Sequence, residues 1–355
     1  MISFKVGTAG PSGVFFRRTQ WDQQCLIASD ANRHLECVAL DQVTSGLNNL
    51  VRLLEFSDKS RWAARVPIKT TSSLQAGAAE LGAEVATTQF IKEHSDLAVP
   101  RVFAYALDEN NPAAVAYMLI EVLPGIIAMD ALGGYKVNRG VIPTQYRRRF
   151  YRLVAICHVH DFLTTLKIGT IANQVKFKWD NETIGRMMQR GPIPAERMIA
   201  IIDQFPSQIK AMASRLSTSN NGPTPLCHDD FLHSNIMVDE DSFDVTGIID
   251  WEGACTVPWE LIAFPEFLQA MPASFDLSQS YDRDGQLLDE EVRQTWRERR
   301  EYIEMVKSAE PEDRLLSTCL SSNRSQALAY TYGAFTSIGK LGFYDRVVKE
   351  VERES

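Results

Sequence analysis

A chain of 355 residues is long enough for a sizeable core and for two lobes. Its formal net charge of −8 argues against a binder of nucleic acid or of anionic membrane and mildly favours neutral or cationic partners, without identifying a substrate. The six cysteines (Cys25, Cys37, Cys157, Cys227, Cys255, Cys319) form no C-x-x-C and no paired histidine spacing, so neither a zinc site nor a disulfide framework is suggested, and reduced thiols in a cytoplasmic protein are expected.

In chain order, residues 1–35 are weakly patterned. GTAGPSG, Gly7 to Gly13, lacks the Gly-Lys-Ser/Thr ending of a P-loop, so the segment reads as an N-terminal arm or turn. Lys5 is followed by no sustained apolar region, and no secretory signal is visible. Glu36 to Val43, Leu50 to Phe56 and Arg61 to Val66 read as strands. They are joined by the turns Val43 to Asn49 and Ser57 to Ser60, which makes two successive hairpins and an antiparallel sheet. Ser72 to His94 has helix composition, with Val85, Thr88 and Ile91 on one face. Pro100 to Tyr105 starts another strand, and Tyr117 to Leu123 a further one, ended by Pro124-Gly125. The apolar stretch Ala113 to Tyr135 approaches membrane length but is broken by Glu121, Pro124, Gly125 and Asp130, so it reads as strand, hinge and helix start.

Beyond Gly125 the composition turns helical. Arg147 to Leu166 and Pro194 to Leu216 are expected helices, and Asn220 to Pro223 ends the second. His158 and His160 point to different faces of the first helix, so they read as packed or capping residues and not as ligands. After Glu252 come a Pro- and Asp-rich loop, a charged helix over Leu288 to Lys307 and a last helical region through Arg353.

The chemistry concentrates in Leu226 to Glu252. Asp230 precedes Asn235 by five positions and follows His228 by two, the H-x-D-x-x-x-x-N spacing of a kinase catalytic loop. Ile236 to Val238 and Val245 to Ile249 are apolar runs flanking a turn about Ser242 and Phe243. A hairpin folded there brings Asn235 and Asp250 side by side near Asp230. One carboxylate and one amide carbonyl, from Asp250 and Asn235, are a normal protein contribution to Mg²⁺. Asp230 is then the carboxylate that orients an acceptor hydroxyl and takes its proton.

HDDFLHSN followed by IIDWE resembles the aminoglycoside phosphotransferase and choline kinase-like family. This chain carries Asp229 where that family usually has Gly, and Arg65 where kinases place a strand Lys, a place at which related members of the family also read W-x-x-R-x-P. The resemblance covers about Leu40 to Phe267. It implies an α+β, two-lobed, protein-kinase-like fold. A nucleotide-binding lobe over 36–123, with a small antiparallel sheet, follows the arm of 1–35, and a mainly helical lobe spans 124–355. It further implies ATP and Mg²⁺ as cofactors, Arg65 paired with Glu84 on the phosphates, and Ser45, Gly46 and Asn48 in a short phosphate loop. Glu121, Val122 and Leu123 would form an adenine-contacting hinge, and His228 would buttress the catalytic loop. Lys69 is the fallback cation should Arg65 face outward, Asp229 is the spare acid, and Trp251 and Trp259 are expected in the core. The implied activity is phosphorylation of a small-molecule hydroxyl. An inactive nucleotide-binding module stays open because of Arg65 and Asp229. A protein kinase is disfavoured by Asp250-Trp251-Glu252 in place of D-F-G.

Overall fold

The computed structural model describes residues 11–46, 48–68, 74–138, 141–163, 165–166, 204–205, 207–211, 216, 224–228, 230–270, 282–283, 286–311 and 315–336. The chain forms two compact units, one of Met1–Phe150 with His228–Ala254, the other of Tyr151–Cys227 with Cys255–Ser355. The fold class is α+β.

The first unit is built on five antiparallel strands, β1 Cys37–Ser45, β2 Asn49–Phe56, β3 Arg61–Pro67, β4 Val102–Ala106 and β5 Tyr117–Glu121, in the order β1-β2-β3-β5-β4. Both expected hairpins are present, with Leu50 opposite Val66 and Leu54 opposite Trp62. The second turn closes through the Phe56 N–H on the Ser60 carbonyl at 2.9 Å, with Asp58 accepting from the Ser60 N–H. The middle strand β3 is buried from Trp62 to Val66, since both faces of the sheet are covered. One face takes a helix over Leu74–His94, whose Leu81, Val85, Thr88 and Ile91 recur at helical spacing and are buried.

The other face corrects the expectation of an unpatterned arm. Residues Pro11–Arg18 and Trp21–Ala31 are helices α1 and α2, which makes Leu74–His94 helix α3. Phe15, Phe16, Trp21, Cys25 and Ala28 pack with Leu50, Leu54, Phe56 and Trp62 in one apolar cluster. The Arg52 guanidinium lies 4.9 Å from the Trp21 ring and donates to the Leu40 carbonyl, tying α2 to the sheet.

After β5, Ile126–Ile127 (β6) pairs with Ile236–Val238 (β9), which pairs with Val245–Ile248 (β10). The expected hairpin is therefore present, ending one residue earlier than the apolar run. Gly125 has φ +96°, and a Cβ there would lie 2.2 Å from the Val238 carbonyl oxygen, so only glycine lets β6 meet β9. At the tip of the hairpin Phe243 is fully buried, stacked 5.0 Å from Tyr146 and edge-on to Phe150 of a helix over Thr144–Leu163. The Ile248 N–H bonds the Ala98 carbonyl at 2.9 Å, which fixes the hairpin's second strand against the segment before β4.

In the second unit, Thr224–Cys227 (β8) lies between Thr165–Leu166 (β7) and Cys255–Thr256 (β11). With Gly134–Asn138 as α4 and Thr144–Leu163 as α5, further helices among the described residues are α6 Glu290–Ala309, α7 Leu315–Ser321 and α8 Asn323–Thr336. The charged helix is thus α6, capped by Asp289 on the N–H groups of Glu291 and Val292. His158 is a packed residue, its Nδ1 sharing a hydrogen bond of 2.9 Å with the Tyr302 hydroxyl. The expected helix over 194–216 falls largely outside the described residues, as does the helical region past Thr336; Lys69, Asp229 and the side chain of His160 lie outside them too.

Candidate active site

Each functional side chain is placed by backbone that the sequence requires to be there. The turn after β8 puts His228 at the head of the loop. Its Nδ1 accepts the Asp230 N–H at 3.3 Å, and its Nε2 donates to the Ile249 carbonyl at 3.0 Å. One ring thus ties the start of the loop to the residue before Asp250. Burial holds the ring below the usual histidine range, although the Ile249 carbonyl, Asp250 and Asp230 act the other way, so it is neutral, with the proton on Nε2. Its face lies 4.6 Å from Trp251, which is 1% exposed; Trp251 in the first unit and Trp259 in the second are each buried, as expected.

Asn235 is buried, and its Nδ2 donates to the Asp230 carbonyl at 2.8 Å and to Asp230 Oδ2 at 3.1 Å. Its own carbonyl accepts the Ile249 N–H at 2.9 Å, one rung beyond β10. The hairpin therefore does bring Asn235 beside the approach to Asp250. Asp250 itself has φ +65°, a left-handed conformation that Asp tolerates better than most residues, and it is followed by Gly253 at φ +78°.

From the sheet side, Arg65 points inward from β3 and is 6% exposed. Its guanidinium pairs with Glu84 of α3, with Asp250 Oδ1 at 2.6 Å and with Glu252 Oε2 at 3.2 Å. Burial opposes the Arg65 charge, but Glu84, Asp250 and Glu252 together outweigh it and raise its pKa. Burial pushes Glu84 up to about 7 against the pull of Arg65, with Asp250 and Glu252 adding to the rise. One guanidinium thus faces three carboxylates, leaving the cluster with excess negative charge that suits a divalent cation.

The donor set fits Mg²⁺. Asn235 spends its N–H groups on Asp230, so its carbonyl oxygen is the end that can act as ligand, and Asp250 meets Arg65 through one oxygen only. Both are hard oxygen donors, and two protein ligands leave room for water and phosphate.

The other expected residues divide. Asn48 reaches the cluster, its Nδ2 donating to Glu252 Oε1 at 3.3 Å. Ser45 and Gly46 sit in the β1–β2 turn, closed by the Gly46 N–H on the Asn49 carbonyl, and the Ser45 hydroxyl meets Ser12 of α1 at 2.6 Å. The Glu121 carboxylate is turned toward the Arg101 N–H and Lys92, Val122 is half-buried, and Leu123 is buried where it fills the space beside Gly247. The structure does not bring those three side chains to the carboxylate cluster.

The sequence pattern of the phosphotransferase enzyme family matches residues 40–259, more than half of the chain. The chain belongs to this family. A 91-residue stretch is 33% identical to "Altered inheritance of mitochondria protein 9, mitochondrial" of Candida albicans; it takes in 26% of this chain and only 14% of that protein. Among solved structures, the chain is similar to a macrolide 2'-phosphotransferase type I, at 15% identity over 95% of this chain and 97% of that one, with a TM-score of 0.47. It is also similar to the aminoglycoside phosphotransferase APH(3'')-Id from Streptomyces rimosus in complex with ADP and streptomycin, at 16% identity over 85% and 99% of the two chains, with a TM-score of 0.43.

Sequence reasoning missed Glu252 and Asn49. The Asn49 Nδ2 donates to Glu252 Oε2 at 3.0 Å. The signal was present in Asp-Trp-Glu: with Trp251 turned into the core, the residues on either side of it both face Arg65.

Proposed function

We propose that this phosphotransferase moves the γ-phosphoryl group of ATP, in a Mg²⁺-dependent reaction, to a hydroxyl of a small molecule. The observation that carries the reading is a pair of groups, Asp230 with Asn235 and Arg65 with Glu84 and Asp250, tied to each other through Ile249, whose N–H meets the Asn235 carbonyl and whose carbonyl meets the His228 ring. Asp230 is the group that accepts the acceptor's proton, held in place by the Asn235 amide. Asn235 and Asp250 hold the metal, which when bound neutralises charge on the phosphate oxygens. Arg65, oriented by Glu84, meets phosphate through a planar fork in place of the point charge of a lysine. His228 positions the loop, and Glu121 to Leu123 offer backbone groups to the base. Among the described residues no helix is long and apolar enough to cross a membrane.

A second reading, a nucleotide-binding module without turnover, is favoured by one feature: Arg65 is already engaged by three carboxylates. Incubation with ATP and Mg²⁺ against a chemically diverse set of alcohols and aminoalcohols, followed by nucleotide depletion, separates the two. Depletion that requires both an acceptor and Mg²⁺ supports transfer. Binding of Mg-ATP with no depletion by any acceptor supports the module.

A further inference from the structure

Three N–H donors converge on one carboxylate at the edge of the cluster. Asn48 Nδ2 meets Glu252 Oε1 at 3.3 Å, while Asn49 Nδ2 and Arg65 Nη2 meet Oε2 at 3.0 and 3.2 Å. The two amides come from the end of the β1–β2 turn and the start of β2, the guanidinium from β3, and the carboxylate from a segment about two hundred residues later. Donors so arranged recognise an oxyanion, and carboxylate and phosphate oxygens use the same fork and amide contacts. Of the three carboxylates on Arg65, Glu252 is the one that also takes the turn's amides. Its side chain is 22% exposed, against 5% for Glu84, so it can be exchanged for a group arriving from solvent. A shallow cleft, lined by Asn48, Asn49, Glu84 and Glu252 among others, opens beside it.

We infer that Asn48, Asn49 and Arg65 form a phosphate-recognition site of which Glu252 is the internal occupant, so that a nucleotide enters by displacing this carboxylate. The inference rests on the nucleotide-binding reading above and adds to it a built-in competitor. Displacement also frees the β1–β2 turn from the segment that follows Asp250, so occupancy of the site and the position of the turn are linked.

The test is calorimetric titration of the full chain with ADP, and separately with inorganic tripolyphosphate. Glu252→Ala empties the site, and Glu252→Gln removes the charge while keeping the size, which guards against a fold defect in the alanine variant. Both should bind the two probes about tenfold more tightly than the wild type, the scale of one exchanged charge-assisted contact. Asn49→Ala in the Glu252→Gln background should reverse the gain. Glu80→Gln, which neutralises another carboxylate lining the same cleft, should leave the affinity within about twofold of wild type. Affinity unchanged or weakened in both Glu252 variants overturns the inference, and so does an equal gain from Glu80→Gln, since bulk charge would then suffice. If the wild type and the folded Glu252 variants all fail to bind either probe, the nucleotide reading itself falls and takes this inference with it.

Discussion

Asp250 and Asn235 illustrate how much one contact decides. Asp250 is a charged donor already facing Arg65, Asn235 a neutral one whose N–H groups are committed to Asp230. Asp250→Ala should therefore raise the Mg²⁺ concentration needed for binding of an ATP analogue by well over tenfold, and Asn235→Ala by less. Titrating Mg²⁺ at fixed analogue reads both, and an unchanged midpoint in both variants would remove these residues from the metal site. Arg65→Ala should raise KM for ATP more than Lys69→Ala does, with Glu84→Gln acting in the same direction more weakly; the reverse order for the two cations would shift the phosphate contact to Lys69. Arg65 is assigned through the family resemblance, with Lys69 kept as its alternative, whereas Asp230, Asn235 and Asp250 could be read from spacing plus one hairpin. The contact between Glu252 and Asn49 could not be read in this way: Asp-Trp-Glu hints that Glu252 shares a face with Asp250, but a partner 203 residues away is encoded by no local pattern.

At the level of elements, the sheet, the long helix α3 and the β9–β10 hairpin follow from alternation, helical spacing and turn residues, and all three are where the sequence puts them. The helices α1 and α2 were missed for a physical reason. Gln20 offers no side-chain cap to α2, and the apolar side chains of α1 and α2 pack only in concert with the sheet, so local propensity is weak and tertiary burial supplies the order. Glycines in the same unit separate structural from functional roles. Gly125→Ala must fit a Cβ against the Val238 carbonyl at positive φ and should lower the unfolding free energy by about 2–4 kcal/mol. Gly46→Ala meets nothing within 4 Å and should change stability by less than about 1 kcal/mol. Urea denaturation of the two variants checks the contrast, and equal losses would mean that the turn, and not the β6–β9 approach, needs glycine.

For the whole molecule, buried histidines set the acid limb of stability. An unfolded His158 takes its proton near the ordinary value of 6.5, whereas burial pushes the folded ring down to about 3. Between those values the unfolded chain binds more protons, so stability is lost as pH falls, by up to about 1.4 kcal/mol per pH unit for this ring. Glu84, raised to about 7, acts in the opposite sense: its contribution is present below the ordinary carboxylate range and is lost as pH rises through 7. Unfolding free energies measured from pH 6 to 4 should fall more steeply for wild type than for His158→Gln; identical slopes would mean that His158 is not held neutral.

The role of Asp230 as the base that takes the acceptor's proton is tested by measuring ATP affinity and acceptor phosphorylation side by side in wild type and Asp230→Asn. The substitution keeps the contact with Asn235 while removing the proton acceptor. It should leave the Kd for Mg-ATP within about threefold and lower kcat by about two to four orders of magnitude. Equal turnover in the two proteins, or loss of ATP binding in step with activity, would contradict the role given to Asp230.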